Sequence, residues 1–156
     1  MAVAAGIDEA GYGPLLGPLV VSCAAFRVPD PCVGQDLWHL FQIGRAGDRA
    51  KTAAGVKADD SKALHKGAQG LRVLEENLLP FLGLLGAPPR TFFGFLSAVS
   101  PDVVDTLAAY PWYAGSDARL PLKAHPVRVQ DRTIQLRRAL TAAGGELRLL
   151  RAEIVE

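Results

Sequence analysis

Asp8 and Glu9 stand side by side at the end of a short apolar run, and the chain then turns through Gly11-Tyr12-Gly13-Pro14 into a second apolar run. Residues 2–7 are small or branched apolar residues, as a buried strand requires. Residues 15–26 repeat the pattern with valine and alanine, so the segment reads as strand, tight turn, strand. Gly11 and Gly13 accept backbone angles closed to other residues and leave peptide N–H groups open to an approaching phosphate. A phosphate can settle beside two carboxylates only if a cation bridges them. Side chains alternate along a regular strand, so Asp8 and Glu9 share one metal only if the strand ends or twists at Glu9. Otherwise they are solvated acids on a strand pair.

The segment Gly6-Ile7-Asp8-Glu9-Ala10-Gly11-Tyr12-Gly13-Pro14-Leu15-Leu16-Gly17-Pro18-Leu19-Val20-Val21 resembles the N-terminal signature of the type 2 ribonucleases H. In that family an Asp-Glu pair on the first strand precedes Gly-Arg-Gly-Pro and then Gly-Pro. Downstream, Asp60-Ser61-Lys62-Ala63-Leu64 is similar to the family's Asp-Ser-Lys-Lys-Leu segment, followed by a helix bearing Arg72 and Leu74. The two matches lie in the first half of the chain.

The resemblance implies an α/β fold, an RNase H-like mixed sheet flanked by helices. It also implies metal-dependent hydrolysis of the RNA strand of an RNA–DNA hybrid. Two ions about 3.5–4 Å apart serve such a reaction, and hard oxygen donors suit Mg2+ or Mn2+. Carried over by position, Asp8 and Glu9 become the catalytic metal ligands. Gly11, Tyr12 and Gly13 become the turn that meets the substrate backbone, and Ser61 and Lys62 the substrate contacts, with Lys62 a point charge for one phosphate. Tyr12 replaces the family's arginine, which exchanges a fixed charge for a ring with a hydroxyl.

The family completes its metal site with two later aspartates, and no late apolar strand here carries one. Asp102 and Asp105 follow Ser100-Pro101 and suit the first turn of a helix. Asp59, Asp117 and Asp131 read as solvated. Residues 146–156 read as a strand running to the last residue, which together with the absent carboxylates predicts a single domain incomplete at its C-terminus. A noncatalytic nucleic-acid-binding RNase H-like module is the alternative reading.

With 17 basic against 16 acidic residues there is no global basic field to draw in nucleic acid, so any binding face must be local. Neither a run of eighteen apolar residues nor a signal-like start is present, and a soluble cytoplasmic protein is expected. Cys23 and Cys32 are too few for a disulfide scaffold or zinc site.

Residues 36–41 predict one or two helical turns, with His39 on the surface. Residues 44–55 predict a solvated excursion carrying Arg45, Arg49 and Lys51. Leu71, Leu74, Leu78, Leu82 and Leu85 recur at helical spacing and predict one buried helix face over 67–85, kinked or divided at Pro80 and capped by Asp60-Ser61. Phe92, Phe93, Phe95 and Leu96 predict a buried strand over 90–99, and residues 101–109 a short helix. A loop over 111–122 carries Trp112 and Tyr113. A helix over 129–143 turns Val129, Thr133, Leu136 and Leu140 inward and Arg132, Arg137 and Arg138 elsewhere. Gly144-Gly145 ends it.

Overall fold

The computed structural model describes residues 1–10, 19–48, 52–111, 113, 115 and 117–155. Gly11, Tyr12, Gly13, Arg49, Lys51 and Trp112 lie outside the described residues. The chain is mixed α/β. Strands β1 (Ala2–Ala10), β2 (Leu19–Val28) and β3 (Glu146–Val155) form an antiparallel sheet in the order β1-β2-β3. The expected mixed sheet finds no parallel strand among the described residues.

The helices are α1 (Leu37–Leu40), α2 (Ser61–Leu64), α3 (Gly70–Leu85), α4 (Phe92–Val99), α5 (Pro101–Ala108) and α6 (Pro126–Ala142). No helix of the described residues is long and apolar enough to cross a membrane.

β1 pairs with β2 from Ala2↔Val28 through Ala10↔Val20 without interruption. Ala2, Ala4, Phe26, Leu147 and Leu150 belong to or pack on a core of Val28, Phe41, Ala54, Val56, Leu136 and Leu140. On the opposite face of β1, Val3 and Ile7 are 68% and 73% exposed. The helices therefore gather on one side of the sheet, and α3, α4 and α6 all reach β3. Each fully buried side chain here, such as Phe41, Leu136, Val28 or Val56, contributes about 1.5–3 kcal/mol by leaving water. A second cluster of Leu79, Leu82, Val99, Ala124 and Val129 joins the first through Leu150.

The 90–99 segment is a helix, not the expected strand. Thr91 caps it, its hydroxyl accepting from the Gly94 N–H at 3.1 Å. Asp117 accepts from the Phe93 N–H at 2.9 Å, so this acid satisfies a second free donor rather than being merely solvated. Phe92, Phe95, Leu96 and Val99 recur at three and four residues, a helical face hidden inside an aromatic run.

α3 is one helix through Pro80, and the face it buries shares Leu82 with the leucine face but is turned away from most of it. Leu79, Leu82, Glu75, Glu76 and Asn77 are buried, while Leu71, Leu78 and Leu85 are 38%, 44% and 42% exposed. The polar residues can turn inward because each finds partners there. Pro80 has no N–H for the Glu76 carbonyl one turn earlier. Arg132 of α6 supplies that donor at 3.1 Å and also reaches the Asn77 amide oxygen at 3.1 Å. Arg137 likewise donates to the Gly83 carbonyl in the last turn of α3 at 2.7 Å. α6 buries Val129, Thr133, Leu136 and Leu140 as its spacing predicts, and starts at Pro126 behind a His125 cap.

Candidate functional site

β1 continues through Glu9 to Ala10. Asp8 pairs with Ser22, and Glu9 pairs with Val21, in unbroken register. Successive side chains of this strand point to opposite faces, so the structure does not bring Asp8 and Glu9 together. Asp8 shares its face with Gly6, Ser22 and Ala24, and these border a cavity of about 530 Å3 closed by Leu78 of α3 and by Phe95 and Val99 of α4. The Ser22 hydroxyl donates to the Asp8 backbone carbonyl at 3.3 Å, which leaves the exposed Asp8 carboxylate available to a ligand. Glu9 alternates to the other face of β1, and Ile7, also on that face, reaches the rim of the cavity.

Arg151 also borders this cavity, but its guanidinium donates to Glu153 at 2.5 Å and to Asp102 at 2.7 Å. The Glu153 hydrogen bond, followed by the two carboxylate charges, raises the Arg151 pKa above its ordinary value. It therefore offers little further charge to a phosphate. Asp102, expected only to complement its helix end, also joins α5 to β3 through this pair. No group of three or more His, Cys, Asp or Glu side chains among the described residues is placed to hold a metal ion.

The second set of expected site residues sits elsewhere. Asp60 does act as a cap, but of the four-residue helix α2 rather than of α3, accepting from the Lys62 N–H at 2.7 Å. Asp59 accepts from the Ala46 N–H at 3.0 Å and from the Asp60 N–H at 2.9 Å, tying α2 to the loop before it. Those two backbone donors, Ala46 first, hold the Asp59 carboxyl below its ordinary range. Ser61 and Lys62 are exposed on α2, which packs on α3. No hydrogen bond or ion pair among the described residues joins either to Asp8 or Glu9.

Several of the basic residues have structural partners. Arg45 lies 4.5 Å from the centre of the Trp38 ring and 3.6 Å from the Asp36 carboxylate. Arg132 and Arg137 hold α3, as described. Burial lowers the Arg132 pKa, against the opposing pull of Glu76. Arg138 remains exposed, and so does His39, as expected. Sequence reasoning missed Glu75, whose buried carboxylate gathers the 122–124 backbone. An acid at helical spacing from Leu71, Leu78 and Leu82 was the signal that could have found it.

No protein-family model, no curated protein and no solved structure matches this chain.

Proposed function

We propose that this chain is an RNase H-like module that binds RNA–DNA hybrids, with hydrolysis of the RNA strand as its chemistry and Asp8 as the carboxylate nearest that chemistry. The observation that carries the reading is the place of Asp8. It lies in the segment that resembles the type 2 ribonucleases H, and it borders a cavity between the sheet and its helices. The exposed Lys62, on the second resembling segment, supports phosphate binding as a solvated cation.

Among the described residues no second acid joins Asp8 in a group placed to hold a metal, and with Glu9 turned away this does not fit the shared donor set of a two-ion site. That same observation favours a second reading, a noncatalytic hybrid-binding module that keeps the glycine and carboxylate segment without cleavage.

One experiment separates them. The chain is incubated with an end-labelled RNA–DNA hybrid in Mg2+ or Mn2+, with and without chelator, beside the Asp8→Asn variant. The nuclease reading expects chelator-sensitive cleavage. Replacing a group that supports a metal ligand costs about 10–100-fold in activity, so a direct ligand should cost about 100-fold or more. The expected result for Asp8→Asn is therefore that loss with an unchanged melting temperature, since its side chain is exposed. Full cleavage by the variant removes Asp8 from the mechanism, and hybrid binding without any cleavage selects the second reading.

A further inference from the structure

We infer that the polar cleft between residues 52–57, α2, α3 and α6 is a phosphate site that grips the backbone of a nucleic-acid strand through Arg128 and Lys66. The cleft has a volume of about 740 Å3 and is lined by Lys57, Lys66, Arg128 and Arg132 against the carboxylates of Glu76 and Asp131. Four cations face two anions, so the lining carries a positive excess that favours an anionic ligand over a metal cation.

The charges divide into a fixed floor and a free rim. Glu76, 6% exposed, receives Arg132 at 2.9 Å and is thereby neutralised at close range. Arg132 is committed further to the Glu76 carbonyl and the Asn77 side chain. Asn77 accepts in turn from the Lys57 backbone N–H at 2.7 Å, which locks the 52–57 segment against α3. The Lys57 ammonium is taken by the Asp48 carbonyl.

Arg128 is different. Its side chain is 61% exposed, and its contact with Glu76 is a long 3.5 Å from one guanidinium nitrogen. Most of its five N–H donors therefore face the cleft or solvent. Lys66 is exposed on the facing wall, just beyond α2. A forked guanidinium and a mobile ammonium across one opening match the oxygens of a phosphodiester, the first by paired hydrogen bonds and the second as a point charge. Asp131 at the rim repels an anion and sets a limit on affinity, so the site suits one phosphate of a polymer held at several points better than a free ion. Ala63 and Leu64 of α2 line the same cleft, which places it on the helix that carries Lys62. The choice of nucleic acid as the polymer rests on the function proposed above; the anion site itself does not.

The test uses the whole chain in chelator, so that binding is read without cleavage. Fluorescence anisotropy gives the affinity for a labelled RNA–DNA hybrid at several salt concentrations, for wild type and for Arg128→Gln with Lys66→Gln. Each lost phosphate contact lowers the slope of log affinity against log salt by about one, and the two side chains share one phosphate, so the double variant is expected to show a slope shallower by about one. Its thermal melt should match wild type, because both side chains lie at the exposed rim. An unchanged slope overturns the cleft as a hybrid contact while leaving hybrid binding intact. A shallower slope from a chain that never cleaves upholds the cleft and sinks only the nuclease reading. In a second arm, inorganic phosphate is titrated while the amide resonances of Gly55 and Lys57 are followed. Shifts in wild type that vanish in the double variant, with no change in its hybrid slope, would make this a site for free phosphate and overturn the polymer assignment. A wild-type chain that binds no hybrid overturns the proposed function and the polymer assignment, and if inorganic phosphate then shifts neither amide, the anion site falls as well.

Discussion

Glu75→Ala is expected to destabilise the fold by about 4 kcal/mol, the largest effect of any single substitution described here. Glu75 lies in the middle of α3 and is only 7% exposed. Its Oε1 accepts from the Leu122 N–H at 2.5 Å, and its Oε2 from the Lys123 and Ala124 N–H groups, both at 2.8 Å. One carboxylate thus stands in for the secondary structure that residues 122–124 lack. A hydrogen bond to a charged acceptor contributes about 1.5–3 kcal/mol, and a buried donor left without an acceptor costs about 1–3 kcal/mol. Leu122 is 55% exposed, and water can replace part of its loss, whereas Ala124 is 6% exposed and water cannot easily reach it. For a chain of this size the loss corresponds to a fall in melting temperature of about 8–16 °C. Glu75→Gln keeps one carbonyl oxygen but turns an amide donor toward backbone donors, and should fall between the two. Urea denaturation of the three proteins decides the matter. An alanine variant within about 1 kcal/mol of wild type would mean that the 122–124 backbone is held by something other than this carboxylate.

Gly145→Ala should cost about 2–3 kcal/mol for the opposite reason, too much matter rather than too little. A Cβ at Gly145 would stand 2.3 Å from Cε1 and 2.6 Å from Cζ of Phe41. Phe41 is 0% exposed and stacks at a tilt on Phe26 with ring centres 5.4 Å apart, so it has no free volume to retreat into. A second change distinguishes this clash from a backbone effect. Phe41→Leu alone is destabilising, but in the Gly145→Ala background it removes the colliding ring atoms. The double-mutant cycle should therefore show a favourable coupling of about 1 kcal/mol or more. Strict additivity, read from denaturation midpoints, would place the cost in the backbone instead. Gly144 makes a contrast, because its φ of +68° penalises alanine by conformation before any contact is considered.

Local pattern carried the reading of this fold wherever one face of an element meets one layer of core. The inward stripe of α6, from Val129 to Leu140, and the pairing of the first two strands are of that kind. It failed where partners come from far along the chain. The leucine spacing of α3 points to a face of Leu71, Leu74, Leu78, Leu82 and Leu85, of which Leu82 is buried and Leu74 half-buried, yet the buried face is turned toward Glu75 and Asn77 and leaves Leu71, Leu78 and Leu85 exposed. Their acceptors meet donors at Ala124 and Lys57, 49 and 20 residues away. No periodicity in α3 can announce a partner that distant. The Phe92–Val99 helix was obscured because aromatic residues are common in strands, although Thr91 was a legible cap. At the candidate site, the adjacency of Asp8 and Glu9 suggests a pair only if the strand breaks at Glu9, while unbroken pairing with Ser22 and Val21 makes them residents of two different surfaces.

Pro80 gives the α3–α6 contact something that apolar packing alone does not, an address. Leucine and valine ridges repeat every turn, so two helices packed only through them could slide by one turn, about 5.4 Å, and find similar company. The proline leaves one carbonyl on α3 without its helical donor, and the Arg132 guanidinium meets it. After a slide of one turn, the same guanidinium would face carbonyls already bonded within their own helix, and the Glu76 carbonyl would be orphaned. A residue usually counted as a helix defect thus works as an alignment mark, making one offset of the two helices distinguishable from its neighbours.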